Sequence, residues 1–145
     1  MCSYLGGRQS VTLACIGVLL ASSVAIYGRE QGNNKKPSLS LKATPAVSFA
    51  PARIVMLAEV KGGGEIESFY CPSIEWEWGD GTTSSAETDC APFEEGKSQI
   101  KRRYSVDHQY KNPGQFRVVL RLKKGDKVSA MANTNIQVRP GLTQY

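Results

Sequence analysis

His108 is the only histidine in this 145-residue sequence and the side chain best suited to act as a general base near neutral pH. Asp80 sits in the turn Gly79-Asp80-Gly81. There it would either accept backbone N–H groups of its own turn or contribute to a calcium site. Calcium takes six or more oxygens, and only Asp80 and Glu77 are obviously near, so the turn role is the expected one. Glu75 and Glu77 could suggest the carboxylate pair of a glycosidase. Alternate residues of one strand, however, stand about 7 Å apart on one face and point at solvent, not across a cleft. Cys71 and Cys90 belong to no CxxC pair, and with a single histidine they offer no zinc site. In an exported chain they read as one disulfide, a redox role being the alternative. No GxSxG, HExxH, GxxxxGK[ST] or GxGxxG pattern occurs. The expectation is a protein without catalytic residues, cofactor or metal.

Charge is distributed unevenly. The formal total is only +5, but the charged side chains of residues 59–95 are acidic except Lys61, and those of residues 97–139 are basic except Asp107 and Asp126. If the Trp76 strand and the Phe116 strand are sheet neighbours, outward Glu75 and Glu77 should face outward Arg117 and Arg121 as cross-strand pairs. Lys101-Arg102-Arg103 is a short basic cluster, either a solvated strand face or an attractor of acidic polysaccharide or phosphate. Phe69, Tyr70 and Phe93 lie around the cysteines as a candidate ligand patch. A coplanar, exposed set would favour glycan binding, and inward-facing rings would oppose it.

The elements that must position these residues are short. Residues 11–27 carry no charge and follow Arg8, the layout of a secretory signal, with cleavage expected after Ala25. An uncleaved anchor and a lipoprotein at Cys15 are the rivals. Residues 1–25 are thus read as signal, 26–38 as a polar flexible linker, 39–138 as the folded domain and 139–145 as a loose tail. No stretch of the folded part supports a long amphipathic helix. Strands are expected over Leu39–Lys42, Arg53–Val60, Ser73–Trp78, Thr82–Thr88, Gln99–Val106, Gln115–Leu122 and Val128–Val138, with Pro45 and Pro51 confining their region to an edge. In the last strand Val128, Ala130, Ala132, Thr134, Ile136 and Val138 should point inward and Ser129 outward. About seven strands in 100 residues predict an all-β, two-sheet sandwich.

Two motifs add a resemblance. Trp76-Glu77-Trp78-Gly79-Asp80-Gly81-Thr82, followed by His108-Gln109-Tyr110-Lys111-Asn112-Pro113-Gly114-Gln115-Phe116-Arg117-Val118, resembles the PKD (polycystic kidney disease) domain family. That family carries W-D-F-G-D-G and H-x-Y-x-x-P-G-x-Y-x-V; here Glu77, Trp78 and Phe116 stand for Asp, Phe and Tyr. The resemblance covers residues 39–138 and implies an immunoglobulin-like sandwich without catalysis, found mostly on extracellular proteins. It implies packing and hydrogen-bonding roles for His108 and Tyr110. The Cys71/Cys90 pair and the acidic loop to Gly96 depart from the family pattern. The chain is therefore expected to be a secreted or periplasmic interaction or structural module whose partner is an envelope or extracellular protein. The alternative is a carbohydrate-binding module for polysaccharide. Nucleic acid is not expected, and membrane contact follows only if the N-terminal segment stays uncleaved.

Overall fold

The computed structural model describes residues 36–141. The expected signal (1–25), most of the expected linker (26–35) and the last four tail residues (142–145) lie outside the described residues. Eight strands follow one another: β1 (Ser38–Thr44), β2 (Val47–Phe49), β3 (Ala52–Lys61), β4 (Ser73–Glu77), β5 (Thr83–Ala86), β6 (Arg103–Tyr110), β7 (Gly114–Lys124) and β8 (Lys127–Arg139). One sheet has the order β1-β3-β6 and the other β2-β8-β7-β4-β5. The molecule is an immunoglobulin-like two-sheet sandwich. The extra strand, β2, lies between Pro45 and Pro51 and runs parallel to β8 at a sheet edge, where proline costs no ladder hydrogen bond.

Alternation explains the core. Ala52, Ile54, Met56, Ala58 and Val60 of β3 are buried, facing Val118, Leu120 and Leu122 of β7 and Ile136 and Val138 of β8 across the sandwich. Trp76 and Trp78 close the core from the β4 side.

Four local expectations are corrected. β6 starts at Arg103 and runs to Tyr110 instead of spanning 99–106, because Tyr104, Val106, His108 and Tyr110 continue one alternating face against Ala58, Met56, Ile54 and Ala52. Ile100 is buried before the strand begins, its N–H held by the Glu65 carboxylate. In β8 the ladder pairs Leu122 with Ala130 but Lys123 with Val128, so Ser129 is an inserted bulge residue. The bulge reverses the side-chain parity: Ser129 is buried and Val128 exposed. Finally, Ser38 opens β1 and Arg139 closes β8, so both belong to the sandwich and not to linker or tail. Pro37 is buried beside Gly63, where a Cβ would collide with the proline ring.

Candidate functional site

The β4–β5 and β6–β7 turns meet at one end of the sandwich. Gly79 has φ +80°, and a Cβ there would lie 2.7 Å from the Arg117 carbonyl oxygen, so only glycine lets β4 leave the sheet this close to β7. Asp80 then accepts the Thr82 N–H at 3.0 Å and the Thr82 hydroxyl at 2.5 Å on Oδ1, while Oδ2 meets His108 Nε2 at 2.8 Å. Burial pushes the Asp80 carboxyl up, but the hydrogen bonds from His108 and Thr82 outweigh it and hold the group below the usual carboxylate range. The His108 ring lies parallel to Trp78 with centroids 4.3 Å apart and meets Tyr110 edge-on at 4.7 Å. Trp76 stacks on Trp78, and Phe116 stacks on Tyr110 beside Gly114 and Pro113, completing a chain of five rings. The Tyr110 hydroxyl donates to the Trp78 carbonyl at 3.0 Å, and burial first, then the Asp80 charge, raises its pKa.

Chemically, this cluster is a clamp. A hydrolytic triad needs a nucleophilic hydroxyl on the histidine nitrogen remote from the carboxylate. Among the described residues no hydroxyl or thiol hydrogen-bonds His108; its ring packs between Trp78 and Tyr110, bonds Asp80, and keeps an edge, 19% exposed, on a groove of about 400 Å³ that Asp80, Tyr110 and Phe116 also line. The motif residues Trp76, Trp78, Gly79, Asp80, Gly81, His108, Tyr110, Pro113, Gly114 and Phe116 thus come together at the sandwich end and tie its two turns to the core.

The patch named around the cysteines is not one surface. Phe69, in a 3-10 turn at Glu67–Phe69, is among the most buried side chains of the core and leaves the patch. Tyr70 and Phe93 are half-buried and meet at an interplanar angle of 60°, which leaves no common plane for a sugar ring. Cys71 and Cys90 form a disulfide closing a separation of 19 residues. Such a loop contributes about 3 kcal/mol through the unfolded state, in the chain-entropy account. A disulfide is the covalent state of an oxidising compartment, and among the described residues no helix is long and apolar enough to cross a membrane. Lys101, Arg102 and Arg103 also separate. Lys101 sits over the Tyr104 ring at 5.2 Å, Arg102 bonds Glu65 and the Gly62 carbonyl, and Arg103 approaches Glu59 at 3.7 Å.

The expected cross-strand ion pairs form at Arg121 but not at Arg117, and beside them lie a groove and an apolar face that the sequence does not announce. On the outer face of the five-stranded sheet, Arg121 bridges Glu75 (3.3 Å) and Glu77 (3.0 Å), and Lys123 reaches Glu75 at 3.2 Å. Arg117 does not join them as expected: the register pairs Glu77 with Val119 and brings the side-chain-free Gly79 beside Arg117. Arg117 has no ion-pair partner among the described residues. It borders a groove of about 520 Å³ with Val47 of β2, Gln115 of β7, and Asn135 and Gln137 of β8. On the outer face of the three-stranded sheet, Val55 and Leu57 stand 43% and 46% exposed. The sequence signals were two apolar residues in the polar phase of β3 and the carboxamides alternating along β8.

Fold and motif placement together define a PKD-like immunoglobulin sandwich. No family model matches the chain, and no curated protein matches it. Among solved structures it is similar to the PKD domain of an M14-like peptidase from a Thermoplasmatales archaeon (14% identity, 73% of this chain and 98% of that one, TM-score 0.49). It is also similar to a CARDB domain from Pyrococcus furiosus (13% identity, 72% and 94%, TM-score 0.48). A superoxide reductase from Ignicoccus hospitalis follows (11% identity, 77% and 87%, TM-score 0.41). At these values no residue role is transferred from any of them.

Proposed function

We propose that this chain is an exported, non-catalytic interaction module that docks an envelope or extracellular protein through the outer face of β1-β3-β6. The observation that carries the reading is the arrangement around Val55 and Leu57. Their cross-strand neighbours are Thr44 and Asp107, and Lys42 and Ser105. Arg53–Asp107 (2.8 Å) bounds the apolar centre on one side, and Glu59 with Lys61 (3.3 Å) and Arg103 (3.7 Å) on the other. An apolar centre inside a charged rim is the anatomy of a protein interface. The disulfide and the signal-like N-terminus support export, and the packing of His108 between Trp78 and Tyr110 supports a structural role for that side chain.

The test is a crosslinked pull-down with the oxidised full chain and its Leu57→Glu variant against native envelope and secreted fractions. Leu57 is exposed, so the variant keeps its melting temperature and loses the captured protein. Capture that is indifferent to Leu57→Glu, or no captured protein at all, refutes the reading.

A further inference from the structure

We infer that the groove over β2, β8 and β7 binds an acidic polysaccharide, a chain bearing uronate carboxylates. This goes beyond the protein-docking reading and does not depend on it, because the groove lies on the other sheet.

The groove is lined by three carboxamides and one guanidinium, with Val47 as an apolar wall. Gln115 pairs across the strands with Gln137, and Arg117 with Asn135. Direct cross-strand neighbours stand about 5 Å apart and alternate residues along a strand about 7 Å apart. The four side chains therefore rise from the corners of a rectangle on the scale of one sugar residue. Three of them are carboxamides, each offering a planar donor and acceptor side by side. That pairing matches vicinal hydroxyls, which also donate and accept. Val47 continues the Gln115–Gln137 row on β2, pairing with Gln137, and is 48% exposed, so an apolar surface stands beside the amides for the C–H face of a ring. β2 begins only at Val47, so no β2 residue pairs with Asn135.

Charge selects the acidic class. On the β4 side of this face Glu75 is held by Arg121 and Lys123, and Glu77 by Arg121. Arg117 borders the amides with no carboxylate beside it, because its β4 neighbour is Gly79. Arg139, exposed at the end of β8, adds a second positive charge on the same half of the sheet. A guanidinium fork prefers a planar carboxylate, which it binds through two parallel hydrogen bonds. Protein interfaces centre on apolar side chains, whereas the side chains standing outward from these strands in the groove are Gln115, Arg117, Asn135 and Gln137, with Val47 at one edge.

The experiment titrates the oxidised full chain with oligomeric polygalacturonate, neutral dextran and dextran sulfate by calorimetry, while two-dimensional NMR follows the side-chain amides. Polygalacturonate is expected to bind and to shift the Gln115, Asn135 and Gln137 amide resonances; dextran is expected not to bind. Arg117→Gln should weaken binding about tenfold or more, the scale of a lost hydrogen bond to a charged group. Asn135→Ala should weaken it as well, and Lys101→Gln with Arg103→Gln should leave it unchanged. Absence of polygalacturonate binding overturns the inference. So does binding that survives Arg117→Gln but falls with the Lys101/Arg103 variant, or dextran sulfate binding of equal strength without amide shifts, which is bulk charge attraction only. Capture of a protein through Arg117 in place of polygalacturonate overturns it too. Leu57→Glu tests the protein-docking face separately, so either result can fail alone.

Discussion

Tyr104 and Tyr110 occupy the same face of β6, both almost wholly buried, yet removing their hydroxyls should have opposite consequences. The Tyr110 hydroxyl donates to the Trp78 carbonyl at 3.0 Å, fastening β6 to the end of β4 just before the Gly79 turn. Tyr110→Phe keeps the ring contacts with His108 and Phe116 and deletes only that bond, leaving a buried carbonyl without its donor. Such a loss costs about 1–3 kcal/mol. For a domain of this size each kcal/mol lowers the melting temperature by about 4–8 °C, so a shift of several degrees to over ten is expected. The Tyr104 hydroxyl is buried with no hydrogen-bond partner among the described residues. Tyr104→Phe removes an unsatisfied polar atom while keeping the ring, so stability should stay level or rise slightly. Thermal and urea unfolding of the two variants, each compared with the parent chain, is the assay. Equal losses from both, or a larger loss from Tyr104→Phe, would refute the assignment of the Tyr110–Trp78 bond as the fastening of this corner.

The ion pairs on the five-stranded sheet give a second check: a double-mutant cycle between Arg121 and Glu77 should show coupling of about 0.2–1 kcal/mol, as befits a half-exposed pair. The same cycle between Arg117 and Glu77 should show none, because Gly79 and not Glu77 neighbours Arg117. Acid stability provides a third. Asp80, Glu65 and Asp107 are all held below their ordinary carboxyl values: Asp80 by His108 and Thr82 against the opposing effect of burial, Glu65 by Arg102 and the Ile100 N–H, and Asp107 by Arg53. A depressed folded-state pKa contributes stability that is fully present above the unfolded carboxyl range, near pH 4, and is lost as pH falls through the folded value. The melting temperature should therefore drop below about pH 4, and Asp80→Asn should flatten that drop. An unchanged slope in Asp80→Asn counts against the clamp.

Much of the fold was legible because its information is local. Alternation marked β3 and β7, the Asp80-Gly81 turn ended β4, and two spaced motifs indicated the sandwich before any contact was known. The clamp of Trp78, Asp80, His108 and Tyr110 was foreshadowed by those motifs, though not its hydrogen bonds. Phe69 was misplaced on the surface because nothing in Ser68-Phe69-Tyr70 tells which aromatic turns inward; a 3-10 turn packed against the core settles that.

The amino-acid sequence by itself determined that the chain folds into short strands, where β3, β4 and β7 lie, and that Gly79-Asp80-Gly81 turns the chain after β4. Tertiary structure alone decided parity and register. One bulge residue at Ser129 exchanges the buried and exposed phases of β8, since side chains alternate with a period of two. One step of β4–β7 register gives Arg121 two carboxylates and leaves Arg117 beside a glycine. The candidate binding surfaces follow from that pairing between distant strands, because a side chain's partner across a sheet is set by where the chain returns and not by its neighbours in sequence.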